Sequence, residues 1–533
     1  MVTNLPLVTR NYTQIAVLSP GISAGVFNAG ELGSGGMPLS QISGSADGIF
    51  VHGARSYDNN YQLDGISVND VQGSGSSSGG IPIPNPDLIQ EFKVQTGLYD
   101  AAYGRFGGAN VSVVTKTGGN DFHGTVFEFW RNDILNANDF FLNEAGQPRA
   151  ALKQNQFGFT LGGPILKDKL FFFGSYEGTR QINGLASGQA RIACTATLRT
   201  PPLTNNRSAA ALGKLFGGKS GALGGVAVNS DGSNINPVAL ELLNYKLPDG
   251  SYLIPTPQTI DPTAPFASQG LSTFSEPCYF AEDQFSTNVD YFVSPKSKIA
   301  GRFFFANDNE TVTFPGNGLN PIGNVPGFPS PFSAGYRVFS LAHTYTFDNT
   351  RLNQAQFGYI RTTGNTTAST PFTWLSVGVS AGQMNDVNEL PSLSILGSIS
   401  MASGYPRAFE QNGFVFDDVF SAVRGAHSIR LGGSLTRLQD DINVAGLGSY
   451  LVFLSWPDFL LGLDAQNNDT GTFSNVYGSA DAFGLMQRQY RAWGEFAVRA
   501  RWYSTAKISD TESGLALRAI WPVRRRSEAK FKI

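Results

Sequence analysis

Apolar and polar residues take turns along much of this chain. From Gln156 to Gly163, Phe157, Phe159 and Leu161 fall on one side of an extended backbone, with Gln156, Gly158 and Thr160 on the other. Phe285, Thr287, Val289, Tyr291 and Val293 alternate in the same way with Ser286, Asn288 and Asp290. Period two is the signature of strands, whose successive side chains point to opposite faces. The runs come in pairs. Pro164 to Asp168 is a short turn leading into Leu170-Phe-Phe-Phe-Gly-Ser-Tyr-Glu. Ser294-Pro-Lys-Ser precedes Ile299-Ala-Gly-Arg-Phe-Phe-Phe, and Asp348-Asn349 separates Tyr336–Phe347 from Leu352–Arg361. Arg424-Gly-Ala-His separates Phe414–Val423 from Ser428–Arg437, where Ile429, Leu431 and Leu435 oppose Ser428, Arg430 and Ser434.

The connections are as informative as the strands. Within pairs they are a handful of residues. Between pairs they run from Gly178 to Gln284, from Asn307 to Gly335 and from Thr362 to Gly413. Compact soluble domains rarely carry such loops, whereas outer-membrane barrels alternate short periplasmic turns with long extracellular loops. A β-sandwich would also alternate, but it would not need loops so unequal. The pattern predicts about nine or ten strands of an antiparallel transmembrane β-barrel before it fails.

The first 120 residues have a different texture, small, mixed and rich in turns. Gly73 to Gly80 reads as a flexible loop. Ile81-Pro-Ile-Pro-Asn-Pro is extended, because each Pro biases its predecessor away from helix. Asp87-Leu-Ile-Gln-Glu is expected to open a short helix. Glu91-Phe-Lys-Val-Gln-Thr and Ala109-Asn-Val-Ser-Val-Val-Thr-Lys alternate as strands.

Composition agrees. Charged residues are 15% of the 533, against an ordinary share of roughly 25%, while Gly (62) and Phe (40) are abundant. Glycine weakens helices and aromatics favour strands. No segment resembles a membrane-spanning helix, since the most apolar stretch, Tyr450 to Leu463, is short and holds Pro457 and Asp458. A mean hydropathy of −0.12 does not argue against a barrel, where only alternate residues meet lipid. The opening Met1-Val-Thr-Asn-Leu-Pro lacks a basic region followed by an apolar run, so it does not read as a signal peptide. Because such a barrel must be exported, the chain is expected to be a piece of a longer protein.

Charge is uneven. From Gly494 onward nine Lys/Arg face four Asp/Glu, a net +5, and the rest of the chain carries −8. Arg524-Arg525-Arg526 could be read as a nucleic-acid patch, but a shifted or truncated end is the favoured expectation, because the strand pattern stops there. The two cysteines, Cys194 and Cys278, share the longest irregular stretch. They read either as a disulfide suited to an oxidising compartment or as two unrelated thiols.

Catalytic and metal patterns are weak. Gly21-Ile-Ser-Ala-Gly and Gly75-Ser-Ser-Ser-Gly fit G-x-S-x-G, yet neither Ser23 nor Ser77 has the strand before and helix after that a nucleophile elbow needs. His52, His123, His343 and His427 are too scattered for metal-ligand spacing. Gly104-Arg-Phe-Gly-Gly lacks a dinucleotide-site setting, and Lys116-Thr-Gly-Gly has the wrong order for a P-loop. Asp58, Asp64 and Asp70 could form an acidic site, but a turn role for Asp64-Gly65 is preferred. No enzyme, cofactor or metal is expected.

Two stretches carry a resemblance to a known family. Val51-His-Gly-Ala-Arg-Ser-Tyr-Asp-Asn-Asn-Tyr-Gln-Leu-Asp-Gly-Ile-Ser-Val-Asn resembles the plug domain of TonB-dependent outer-membrane receptors, with Arg55, Asn60, Asp64 and Gly65 on an R-x-x-x-x-N-x-x-x-D-G pattern. Ile89-Gln-Glu-Phe-Lys-Val-Gln-Thr-Gly and Tyr103-Gly-Arg-Phe-Gly-Gly-Ala-Asn-Val-Ser-Val-Val-Thr-Lys resemble the closing plug motif, through Tyr103, Gly104, Gly107, Gly108, Thr115 and Lys116. Leu5-Pro-Leu-Val-Thr-Arg-Asn-Tyr-Thr-Gln, Leu18-Ser-Pro-Gly-Ile and Leu161-Gly-Gly-Pro-Ile are similar to the Oar-like branch.

The resemblance implies a mostly β protein: a small α/β plug over 1–120, the N-terminal part of an incomplete outer-membrane barrel over 121–493, and an atypical basic tail over 494–533. It implies a receptor in the bacterial outer membrane that takes up a glycan, peptide or metal chelate with energy from the inner membrane. Its partners would be TonB, through an upstream segment, the outer-membrane lipid and an extracellular ligand; no nucleic acid is expected. Export or surface assembly, or adhesion without transport, is the alternative. Those plug residues would be structural and gating, and Gly73–Gly80 would either approach the ligand or be a solvated linker. A family barrel of about 22 strands would leave an aqueous lumen for the plug to fill.

Overall fold

The computed structural model describes residues 10, 15–16, 18–24, 49–55, 58–69, 82, 84–97, 107–138, 143, 149–184, 194–315, 323–367, 369–379, 392–401, 407–425, 427–444, 450–463, 476–477 and 485–497.

The chain begins with a small sheet domain. β1 (Ile22–Ala24) pairs with β2 (Ile49–Val51). β3 (Asn60–Leu63), β4 (Ile66–Ser67), β5 (Ile89–Gln95) and β6 (Asn110–Thr115) form a second sheet in the order β4-β3-β6-β5, with β3 and β6 parallel. Tyr61, Leu63, Val111 and Val113 are buried in it. The helix expected at Asp87 is a single 3-10 turn, Pro86–Leu88, capped by Asn85, whose Oδ1 accepts from the Asp87 N–H at 2.8 Å. Helix propagation loses there because Ile89 onward pairs with β6.

A meander of long strands follows: β7 (His123–Asn132), β8 (Leu152–Leu166) and β9 (Leu170–Asn183). The chain then leaves the sheet through β10 (Thr195–Thr200), α1 (Ala209–Phe216), β11 (Ser220–Gly221), β12 (Gly224–Ala227), α2 (Pro237–Asn244), β13 (Thr259–Ile260) and β14 (Gly270–Ser275). It returns as β15 (Cys278–Ser294), β16 (Ser297–Val312), β17 (Ser330–Asp348) and β18 (Arg351–Thr366). A further excursion carries β19 (Ser392–Ile395) and β20 (Ile399–Met401) before β21 (Arg407–Arg424) and β22 (His427–Val444). The last holds β23 (Tyr450–Phe453), α3 (Trp456–Leu461) and β24 (Val476–Tyr477), and β25 (Leu485–Ala497) closes the described chain.

Ten of these strands make one antiparallel sheet in the order β7-β8-β9-β15-β16-β17-β18-β21-β22-β25. No described strand joins its two edges. Turns at one end are tight. Asp348 accepts from the Thr350 N–H at 2.9 Å and from its hydroxyl at 2.6 Å, an Asx turn between β17 and β18. All long excursions leave from the other end.

The sheet's two faces match the alternation. Gln154, Gln156, Thr160, Ser175, Ser286 and Asn288 are buried on the inner face, against the small domain or its surroundings. Phe159, Leu161, Phe285, Leu341, Phe416 and Leu435 stand exposed on the outer face. Tilted ring pairs such as Phe357 with Phe416, 4.9 Å between centroids, extend this apolar band across strands.

The excursions are not irregular, as the sequence suggested. They condense into a cap with its own core, in which Phe216, Leu243, Phe328, Trp374, Ile395, Trp456 and Phe459 are buried together. Four separate segments contribute, and β19 from one pairs in parallel with β23 from another. The apolar stretch beginning at Tyr450 supplies β23 and α3 to this core. Cys194 and Cys278 are joined as a disulfide at its base, with Cα atoms 5.3 Å apart.

Candidate functional site

Asp64-Gly65 is the two-residue turn between β3 and β4. Leu63 pairs with Ile66, and both turn residues have positive φ, 50° and 86°. A type I′ turn requires that geometry, and Asp-Gly is among the pairs that best supply it. The turn aims the Asp64 carboxylate at the end of β6. It accepts from the Thr115 backbone N–H at 2.8 Å and from the Thr115 hydroxyl at 2.9 and 2.8 Å. Burial pushes the Asp64 carboxyl above the ordinary aspartate range and outweighs the opposing Thr115 hydrogen bonds.

This junction sits on the inner face of the large sheet. Asn288 of β15 donates to the Thr115 hydroxyl at 2.8 Å and to the Lys116 carbonyl at 2.7 Å. Gln356 of β18 donates to the Asp64 carbonyl at 2.8 Å. A Cβ on Gly65 would come 2.9 Å from Gln356 Oε1, so the close approach also favours glycine. Ile66 lies over Gly358 of β18, and Tyr61, Leu63 and Val111 share a core with Phe173, Phe304, Tyr336 and Phe409 of the sheet.

Other motif residues hold the small domain together. Asn60 Nδ2 donates to Asn110 Oδ1 at 2.8 Å and Asn60 Oδ1 accepts from Ser67 at 2.9 Å, tying β3 to β6 and β4. The Arg55 N–H donates to Asp58 Oδ2 at 3.0 Å within an exposed turn. Gly108 is required by space, since a Cβ there would lie 2.3 Å from Asn59 Oδ1; Gly107 has open space around it. The Lys116 N–H donates to the Leu88 carbonyl at 2.8 Å. Tyr103, Gly104 and the Gly73–Gly80 loop lie outside the described residues.

Sequence reasoning missed several partners. Asn59 bridges the Ile49 carbonyl (2.6 Å) and the Ala109 N–H (2.7 Å), and Asn69 bridges Tyr61 N–H (2.8 Å) and the Asn59 carbonyl (2.7 Å). Asn288 and Gln356 were visible only as inward polar positions of strands. Arg10, inside a quoted opening motif, pairs with Asp87, lies 3.5 Å from Glu177 of β9 and places its guanidinium 4.3 Å over the Phe127 and Phe129 rings.

The wall changes character along its length. Near the tight turns, Asp290 of β15 is neutralised by Lys298 at 2.9 Å and Arg302 at 3.0 Å. Towards the cap, Glu177, Glu282, Asp308 and Glu310 are buried on the same face.

This arrangement, an antiparallel wall with an apolar exterior and a polar interior seating a small sheet domain, defines a membrane β-barrel architecture. The chain belongs to the outer-membrane β-barrel family, whose outer membrane beta barrel domain model matches residues 114–500, and its place is therefore the bacterial outer membrane. It is 34% identical over 187 residues to the TonB-dependent transporter Oar of Myxococcus xanthus, covering 32% of this chain and 17% of that protein. Among solved structures it is similar to the outer-membrane transporter YddB of Escherichia coli, with 11% identity, TM-score 0.49 and coverage of 94% of this chain and 53% of that one. It is also similar to a mutant of the ferric enterobactin receptor PfeA of Pseudomonas aeruginosa, with 10% identity, TM-score 0.46 and coverage of 92% and 52%. The chain thus spans about half the length of these structures, and less of the curated relative. The relatives are transporters and receptors rather than enzymes.

Proposed function

We propose that this chain is the plug, residues 1–120, and the first barrel strands, residues 121–493, of a TonB-dependent receptor that imports a bulky ligand across the outer membrane. Of the tail over 494–533, residues 494–497 complete β25 of the wall, and the remainder is assigned no part in it. The observation that carries the reading is the seat of the Asp64–Thr115 junction on the inner wall, through Asn288 and Gln356. The hydrogen bonds of that seat are neutral, each worth about 0.5–1.5 kcal/mol net, and they lie beside the apolar contacts of Tyr61, Leu63 and Val111 with the wall. A plug so attached can be rearranged by a pull on its upstream end without unfolding the wall. Arg55, Asn60, Asp64, Gly65, Tyr103, Gly104, Gly107, Gly108, Thr115 and Lys116 are the structural and gating residues in this reading, and TonB is the partner that pulls.

The test is uptake in cells carrying the full-length protein, with and without TonB and with the proton gradient collapsed. Import that requires both supports the reading. Secretion of a cargo that depends on the protein, with no import, would replace it by export; surface attachment that needs neither would leave an adhesin.

A further inference from the structure

The acidic stretch of the inner wall is only partly compensated by the protein. Glu282 and Asp308 are direct cross-strand partners on β15 and β16, and Phe280 faces Glu310 one step further towards the cap. Glu177 on β9 faces Gln284 of β15. Like charges directly opposite on a sheet repel, and a buried carboxylate is costly unless a cation or hydrogen-bond donors satisfy it. The same two strands show the alternative: at Asp290 the chain provides both Lys298 and Arg302. For the upper four, Arg10 is the one paired cation among the described residues, reaching Glu177 alone and shared with Asp87. The other donors are neutral: Glu282 accepts from Gln284 at 2.7 Å, and Asp308 accepts from the Ala334 N–H and the Tyr336 hydroxyl.

A second observation points to a ligand. Gln154 of β8 is 1% exposed, and neither its amide nitrogen nor its amide oxygen has a hydrogen-bond partner. It lies on the same inner face and in the same register row, which passes through Gln181 and Phe280 to Glu310. The Glu177 oxygen that faces Arg10 at 3.5 Å makes no hydrogen bond. A buried amide with both ends open, on the same face as four carboxylates that share one paired cation, suits a guest rich in N–H groups. A bare metal ion fits less well, because among the described residues no group of three or more acidic, His or Cys side chains is placed to hold one.

We propose that the wall formed by Glu177, Glu282, Asp308, Glu310 and Gln154 binds an organic polycation carrying amine or guanidinium groups. This names the ligand class of the receptor proposed above and rests on that reading only for the direction of movement.

The test is equilibrium binding of spermidine and of tri-arginine to the full-length protein in outer-membrane vesicles, with tri-glutamate and calcium as comparisons. At least one cation is expected to bind saturably and tri-glutamate not to bind. Glu282→Gln with Asp308→Asn should weaken cation binding tenfold or more, while Asp348→Asn, in a turn at the far end, should leave it unchanged. Preference between the two probes separates a polyamine from a basic peptide. If the double variant does not reach the membrane, Glu310→Gln alone carries the test, with a weakening of at least threefold expected. Equal affinity in wild type and variant, binding of neither cation, or binding of calcium alone overturns the proposal. TonB-dependent uptake without cation binding would sink the proposal and leave the transport reading standing. Cation binding without TonB-dependent uptake would do the reverse.

Discussion

Asp64 shows how much one residue can be asked to do. It adopts positive φ, which aspartate tolerates better than most residues, it receives two donors of Thr115, and its carbonyl meets the wall. Its raised carboxyl has a definite consequence for pH. A group that holds its proton more tightly when folded contributes stability below its unfolded value, near 4, and loses it as pH rises through the folded value. Protection of β6 amides from hydrogen exchange is therefore expected to fall as pH rises from the ordinary aspartate range, and Asp64→Asn should flatten that dependence. An unchanged slope in the variant would assign it to another group. Arg207, in the cap, is a second case. It is 2% exposed, donates to the Leu243 and Ile254 carbonyls at 2.7 and 2.6 Å and lies 4.0 Å over Tyr252. Burial lowers its pKa to about 10, so it stays cationic at neutral pH. Arg207→Met strands those carbonyls and should cost the cap about 2–4 kcal/mol, read from tryptophan fluorescence on heating. At this scale the Asp-Gly turn was legible in the sequence, because its chemistry is local. Its anchors Asn288 and Gln356 were not, because inward polar residues on a strand look alike until the register is known.

At the scale of the element, period two named the strands and their lipid face, but it understated their length. The sequence reading placed a strand over Gln156–Gly163, whereas β8 covers Leu152–Leu166. Above Phe157 both faces become polar, with Lys153 and Asn155 outside and Gln154 inside, and the alternation disappears although the backbone ladder continues. The outer face marks the same level on other strands, where Arg180 pairs with Asp283 at 2.9 Å and Arg361 with Glu410. Charged pairs exposed on the outside belong above the hydrocarbon, since a spanning strand needs only about 9–11 residues. Phe159→Arg, in the apolar band, should therefore cost about 2–4 kcal/mol of assembly if it lies near the midplane, and Asn155→Arg about 0–1 kcal/mol. Heat-modifiable mobility of the two variants in lipid vesicles measures the difference. Equal costs would place the band elsewhere.

At the scale of the whole molecule, the architecture of wall and seated domain followed from alternation, loop asymmetry and the plug motifs. The cap did not. Its core is assembled from four segments separated by barrel strands, none with enough periodic apolar residues to announce a domain alone. Only the wall, by holding the strand ends together, makes Phe328, Trp374 and Trp456 neighbours. Such an assembly loses much chain entropy in its longest excursion, and there the Cys194–Cys278 bond acts. It closes 84 residues, which in the chain-entropy model is worth about 4–5 kcal/mol. Cys278 is the first residue of β15, so the bond fixes the excursion to the rim of the wall where it returns. Replacing both cysteines by serine should lower the melting temperature of the cap while the strands of the wall keep theirs, because the bond constrains the excursion and not the sheet register. Calorimetry of the double variant beside the oxidised parent, with far-ultraviolet dichroism to follow the wall, separates the two transitions. A cap that melts at the parent's temperature would mean that the core around Phe216 and Trp456 already holds the excursion, and that the cysteines add nothing to its stability.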